Sequence, residues 1–249
     1  IAQDIRRQLI RKRTALTPTP LYSTILVRTG LLSHGGAHGQ YPVIVGDGVA
    51  MKSLCGLLRE RSPRTVVLVT DENVKRYHGE ALSLTLRAQL PKETRLREVV
   101  LPAGEAVKSD AHLLALLDLF REAEITRRDG VVVSFGGGVI SDLAGLAASL
   151  YHRGLPLIHV PTTLLAQVDA SIGGKTGIDL AGRKNLVGSF YPPVAVVADP
   201  SLLRTLPKRE LHAGLAEVLK YALIGSPELW QELEHALPSL IKGRQRVLK

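Results

Sequence analysis

The chain has 249 residues, 45% of them apolar and only 4% aromatic, enough to bury a substantial core by aliphatic packing. Its formal charge of +9 sits at the ends: residues 1–28 carry +5 and residues 239–249 carry +4, so residues 29–238 are neutral. This excludes the continuous basic stripe of a nucleic-acid binder, the single cysteine, Cys55, excludes an intramolecular disulfide framework, and no apolar run approaches the ~18 residues of a membrane span.

A cytoplasmic protein is the resulting expectation, since the opening residues also lack the uninterrupted apolar stretch of a secretory signal. Residues 1–13 read as a basic helix with Ile5, Leu9 and Ile10 on one side, stopped by a Thr/Pro stretch over 14–20. We read 1–28 as a helix-and-linker extension. From Tyr22 onward, β-branched runs at 23–28, 42–46, 65–70, 96–101, 131–135, 157–160 and 194–198 predict strands, and helical patterns at 49–61, 74–90, 110–123 and 141–151 lie between them. That alternation predicts an α/β domain with a mainly parallel sheet over 29–205.

After Pro207 the strand patterns cease. Pro207 and Gly225 frame one helix, Ser226-Pro227 opens the next, and an apolar helical pattern continues over 237–248. Residues 206–249 thus read as the beginning of an all-helical domain. Leu211, Leu215, Val218, Leu219, Ala222 and Leu223 form an apolar side that must pack on the α/β domain, pack on another copy, or stay exposed.

The run Val131–Phe135 followed by Gly136-Gly137-Gly138 and a helix of small residues is a strand, a glycine turn and a close-packed helix. Such a turn presents backbone N–H groups and a positive helix end to a pyrophosphate. It also serves as a plain tight turn, and the Gly-x-Gly-x-x-Gly fingerprint is absent. Asp71 ends the 65–70 strand, at the sheet edge where ligands of open α/β folds bind, or it caps the helix that follows. Glu105 and Lys108, in a second turn near that edge, read as solvated loop charges on spacing alone.

Gly173-Gly174-Lys175-Thr176 imitates the end of a phosphate-binding loop, but the position of its first glycine holds Asp169, whose carboxylate would repel phosphate. What remains is a polar set in expected loops: Thr162, Thr163, Asp169, Lys175, Lys184 and Asn185. Lysines there can hold an anionic substrate and the aspartate can orient a hydroxyl or accept a proton. Glu217 and Lys220 lie three apart on a helix, the spacing of an ordinary solvated ion pair.

Taken together, Ser134 to Asp142, Val160 to Asp169 with Gly173 to Thr176, and Gly214 to Lys220 resemble the 3-dehydroquinate synthase family of sugar-phosphate cyclases, over about 41–240. Ser141 departs from the pattern, which usually has glycine there. The resemblance implies an N-terminal mainly parallel-sheet NAD-binding domain followed by an all-helical metal and substrate domain. It implies that NAD is bound by Asp71, Glu105, Lys108, Gly137, Gly138, Val139, Asp142, Thr162, Thr163, Lys175, Lys184, Leu202 and Thr205. Arg153, Asp169, Lys175, Asn185 and Lys220 would face the substrate, and Glu217 would ligate a zinc or cobalt ion.

The implied activity is that of a carbon–oxygen lyase of the shikimate pathway, converting the small-molecule sugar phosphate 3-deoxy-D-arabino-heptulosonate 7-phosphate into 3-dehydroquinate and phosphate. A homodimer is implied for the complete protein. The family's two histidine ligands are expected beyond Lys249, and His212, five positions before Glu217, is poorly spaced to share an ion with it. Three alternatives stay open: an inactive NAD-binding fragment, another sugar-phosphate cyclase, and a metal-dependent polyol dehydrogenase of the same architecture.

Overall fold

The computed structural model describes residues 22–28, 40–225 and 227–241. The basic helix and Thr/Pro linker expected over 1–20 lie outside the described residues, as does the apolar pattern beyond 241. At the centre is a seven-stranded sheet. In chain order its strands are β1 (Ser23–Arg28), β2 (Gln40–Val45), β3 (Thr65–Asp71), β4 (Arg95–Leu101), β5 (Gly130–Gly136), β6 (Leu157–Pro161) and, after a separate hairpin β7 (Lys175–Leu180) and β8 (Arg183–Phe190), β9 (Ala195–Ala198). The spatial order is β1-β2-β9-β6-β5-β3-β4. Only the β1–β2 pair is antiparallel among these neighbours.

The central strands are near-continuous aliphatic runs because both faces are covered. Val66 and Leu68 of β3 turn to one face, where they meet Leu54 and Leu58 of α1 (Ala50–Arg61) and Leu82 and Leu86 of α2 (Glu80–Gln89). Val67 and Val69 turn to the other, against α3 (Asp110–Glu122) and α4 (Gly138–Leu150) through Leu116, Phe120, Leu143 and Ala147. The period-2 alternation of a strand thereby sorts one sequence run into two cores. Chain direction reverses between β3, which leads outward to β4, and β5, which leads back to β6; the crevice at their carboxyl ends is the topological switch point where such sheets bind ligands.

The helical segment follows as α5 (Lys208–Gly225) and α6 (Pro227–Ile241). Leu211, Leu215 and Ala222 of α5 are buried with Leu164, Leu203 and Leu233. A Cβ on Gly214 would stand 2.6 Å from Cβ of Leu164, so glycine there lets α5 lie directly on the loop after β6. The expected apolar side is thus mostly packed, whereas Leu223 is 71% exposed. No helix among the described residues is long and apolar enough to cross a membrane.

Two sequence expectations need correction. Ser23–Arg28 pairs along its whole length with β2 and is the edge strand of the sheet, so the boundary at 28/29 cuts through the domain. Lys175, Lys184 and Asn185, expected in loops, stand on the β7–β8 hairpin. Its turn, Ala181-Gly182, has φ of +50° and +75°, the two left-handed residues that a tight hairpin needs. Alanine rarely signals such a turn, and β8 is exposed along most of its length. The hairpin is held instead by buried Thr176 and Ile178 of β7, which pack toward α4.

Two buried polar groups tie the sheet together, and neither was anticipated. Asp199, 1% exposed, accepts hydrogen bonds from the backbone N–H of Gly48 and Ala50 at 2.8 Å and of Ser201 at 2.9 Å, fastening the turn after β2 to the end of β9. His159 of β6 faces Ser134 of β5, with Nδ1 and Oγ 2.5 Å apart, and burial pushes its pKa down to about 4. Replacing Asp199 by Ala strands buried amides and should cost about 3 kcal/mol in urea unfolding. For His159 the unfolded chain takes up the proton that the folded chain refuses. Stability should therefore fall as pH drops from 6.5 toward about 4, and His159→Gln should flatten that part of the urea-midpoint profile.

Candidate active site at the carboxyl edge of the sheet

The glycine turn lies at the switch point. Gly137 is the N-cap of α4 in extended conformation, with no side chain to cap the helix, so the first amides of α4 are left to a ligand or solvent. A Cβ on Gly137 would be 3.0 Å from Cγ2 of Thr163 and one on Gly138 would be 3.3 Å from Cβ of Ala170, so the two glycines hold α4 close to the loop after β6. The Thr162 N–H donates to the Gly136 carbonyl at 2.9 Å. Around this turn the hydroxyls of Thr70, Ser141 and Thr162 are buried without a hydrogen-bond partner, an uncommon state for polar atoms in a finished interior.

Beside the turn a half-open cavity of about 510 Å³ is lined by Asp142, Asp169, Lys175 and Asn185, together with Thr176, Ser189 and Phe190 of the hairpin. Four of the residues expected to meet cofactor or substrate therefore share one concave surface. Lys108 is no solvated loop charge: it is 4% exposed, and its Nζ donates to Oδ2 of Asp142 at 2.8 Å and to Oδ1 of Asn185. Glu105 pairs with Lys184 at 3.0 Å, and the Asp179 N–H donates to the Lys108 carbonyl at 2.8 Å. The loop after β4 thus clasps the hairpin at several points. Burial raises the pKa of Asp142, and the bond from Lys108 works against that rise.

After Thr163 the chain makes a π-helical turn, Ala166–Ala170, a local distortion that is frequent at functional sites. It presents Asp169 toward α5, where the Tyr221 hydroxyl donates to Oδ1 of Asp169 at 3.1 Å. Glu217 is ion-paired with Lys220, and this bond, with the field of Lys175 as a smaller contribution, holds its carboxyl below the usual range. Tyr221 was missed in the sequence, although its i, i+4 spacing from Glu217 places both on one helix face. Gln167 was missed too; its amide donates to the carbonyls of Pro161 and Asp199, anchoring the π turn to the sheet.

Other expected residues fall outside the cavity. Asp71 ends β3 at the switch point, but its carboxylate caps the next helical turn by accepting from the Val74 N–H at 2.9 Å. Val139 is partly buried against the core. Leu202 is 6% exposed and packs with Leu68 and Phe135, while Thr205 Oγ1 is 2.9 Å from Nε2 of His78. Arg153 follows the far end of α4, a helix of 13 residues and so about 20 Å long. It is exposed at the opposite edge of the sheet, with φ of +58°. The Gly173-Gly174 turn leads into strand β7 rather than a helix, which removes the phosphate-loop reading.

A doubly wound sheet, a glycine turn at its switch point and an adjoining cavity lined by Lys175 and two carboxylates make up a fold shared with NAD-bound sugar cyclases and with dehydrogenases. The 2-epi-5-epi-valiolone synthase of Streptomyces hygroscopicus subsp. jinggangensis 5008, solved with NAD⁺ and Zn²⁺ bound, is similar with a TM-score of 0.74 and 32% identity, covering 87% of this chain and 57% of that one. A 2-deoxy-scyllo-inosose synthase complexed with carbaglucose-6-phosphate, NAD⁺ and Co²⁺ is similar with a TM-score of 0.70 and 27% identity, over 81% of this chain and 52% of that one. The 3-dehydroquinate synthase N-terminal family matches residues 98–213. The 3-dehydroquinate synthase of Symbiobacterium thermophilum is 46% identical over 212 residues, which are 84% of this chain and 58% of that protein. The chain belongs to the 3-dehydroquinate synthase family and spans a little over half the length of such relatives.

Removing the Lys108 ammonium tests the clasp. Lys108→Met leaves the buried Asp142 carboxylate without its cation, at a cost of about 3 kcal/mol where Asp142 is ionised. Burial already raises the Asp142 pKa, and losing Lys108 raises it further. The folded variant then holds a proton that the unfolded chain releases as pH rises above the ordinary carboxyl range. Urea unfolding should show a small deficit near pH 4 that widens toward neutrality; a deficit independent of pH would contradict the pairing.

Proposed function

We propose that this chain carries the NAD site and part of the substrate site of a 3-dehydroquinate synthase, which converts 3-deoxy-D-arabino-heptulosonate 7-phosphate into 3-dehydroquinate and phosphate. The observation that carries the reading is the junction of the Gly137 turn, with its unpartnered buried hydroxyls, and the cavity lined by Asp142, Asp169, Lys175 and Asn185. NAD suits this junction: Gly137 and Gly138 leave the backbone approachable, and Thr162 and Ser141 hold hydroxyls that lack a partner in the protein.

Bound NAD would supply a hydride acceptor that is restored within the turnover. The side chains do the rest. Lys175 and Lys220 bring positive charge to the phosphate and carboxylate of the substrate, and Asn185, fixed by Lys108, offers a directed hydrogen bond. Asp169, held by Tyr221, accepts a bond from a substrate hydroxyl or takes its proton. Arg153 belongs to this reading only if another part of an assembly brings it to a cavity, in keeping with the homodimer expected for the complete protein.

Both solved relatives carry a divalent metal, Zn²⁺ in one and Co²⁺ in the other. Here the fit is incomplete. Among the described residues no group of three or more His, Cys, Asp or Glu is placed to hold an ion, and Glu217 is engaged by Lys220. One carboxylate makes a weak zinc site. A second reading follows from that observation: these residues bind NAD with little turnover by themselves.

Titration calorimetry should show NAD binding to the purified chain. Gly137→Leu should weaken it at least tenfold, with circular dichroism unchanged. A chain that takes up no NAD contradicts the proposal. Phosphate release from the heptulosonate substrate, with NAD and Zn²⁺ or Co²⁺ present, separates the two readings. Little release is expected from these 249 residues, and rates like those of full-length relatives would overturn the second reading.

A further inference from the structure

We infer that Tyr221 is a positioning residue for Asp169, an inference that rests on the proposed role of Asp169 at the substrate. The phenol reaches from α5 across to the π turn and donates to Oδ1 of Asp169 at 3.1 Å. Glu217, one turn earlier on α5, lies close enough for its charge to act on the same hydroxyl. It therefore stands between two carboxylates. A phenol has one proton to give, so only one of them can receive its donated bond. Glu217 has another cation to lean on, the Lys220 ammonium, which also sits 5.0 Å over the Tyr221 ring.

This arrangement sends the phenolic proton to Asp169. With Oδ1 occupied, the carboxylate is fixed in rotation and its second oxygen is left for the cavity that Asp169 lines. An aspartate that must orient a substrate hydroxyl loses effectiveness when it can swing, because the reacting geometry has to be in place beforehand. The link also joins two elements distant in sequence, the π turn and α5. Tyr221→Phe keeps the ring and its packing and deletes only the bridge.

The test compares the wild-type chain with Tyr221→Phe, Asp169→Asn and the double variant. Calorimetry of the NAD-loaded proteins with 3-deoxy-D-arabino-heptulosonate 7-phosphate should show NAD affinity within twofold in all four. Sugar-phosphate affinity should fall about tenfold in Tyr221→Phe, as expected for a bond to a charged group. The double variant should be no weaker than Asp169→Asn alone, a non-additivity that a merely structural loss would not produce. Unchanged sugar-phosphate binding in Tyr221→Phe, or multiplying losses, overturns the inference. A parallel urea cycle without ligands reads the Tyr221–Asp169 bond itself, so failure of the wild type to bind NAD or sugar phosphate counts against the proposed function. Absence of coupling in that cycle counts against the bridge.

Discussion

The close approach of α4 to its surroundings is the constraint on which the rest depends. A Cβ on Gly136 would lie 2.7 Å from Cβ of Ile140, and one on Gly145 would lie 2.5 Å from Cγ2 of Thr176. No other residue fits at either position unless a neighbouring group shifts. With α4 seated at this depth, its amide end meets the edge of β5, and its flank supports the hairpin that walls the cavity. The Ser149 hydroxyl reinforces the support by accepting from Ser189 at 2.8 Å. A protein interior packs at crystal-like density, so a single added methyl group at these positions would be felt at both the turn and the cavity.

Charge organisation follows from that packing. Lys108, Asp142 and Asn185 come from a loop, a helix and a hairpin strand, and they meet only because α4 and the hairpin are locked together. A buried ammonium is tolerable when its donors are used, and here two of the three are engaged by named acceptors. The second grouping, Asp169 with Tyr221, Glu217 and Lys220, depends in the same way on Gly214, which lets α5 settle on the loop after β6. The cavity itself is lined by α4, the π turn and the hairpin, and the helical segment reaches it through the Tyr221 hydroxyl on Asp169.

Much of the fold was legible because central parallel strands are unbroken aliphatic runs and the helices between them carry amphipathic patterns. Each strand of the large sheet appears in the sequence to within a couple of residues. The hairpin was not legible: its strands are rich in glycine and charge, and its stability comes from contact with α4 rather than from its own propensities. Within the site, the glycine turn and the polar cluster could be read from residue types and from resemblance. The capping role of Asp71 was one of the two readings its position offered, whereas burial of Lys108 and the core position of Leu202 could not be read, since each is decided by which distant segment packs against it. Tyr221 shows the converse case: its neighbour Glu217 is visible in the helix spacing, and its hydrogen-bonded partner Asp169 is 52 positions away.

The left-handed pair His152 and Arg153, with φ of +49° and +58°, precedes Gly154 at +123°. Neither side chain suits that conformation, and each such residue costs on the order of 1 kcal/mol relative to glycine or asparagine. The exposed arginine thus sits at a position whose backbone conformation favours a smaller residue. Replacing His152 or Arg153 by glycine or asparagine would relieve the backbone and remove the side-chain chemistry in one change, so the two are adjusted together at this turn.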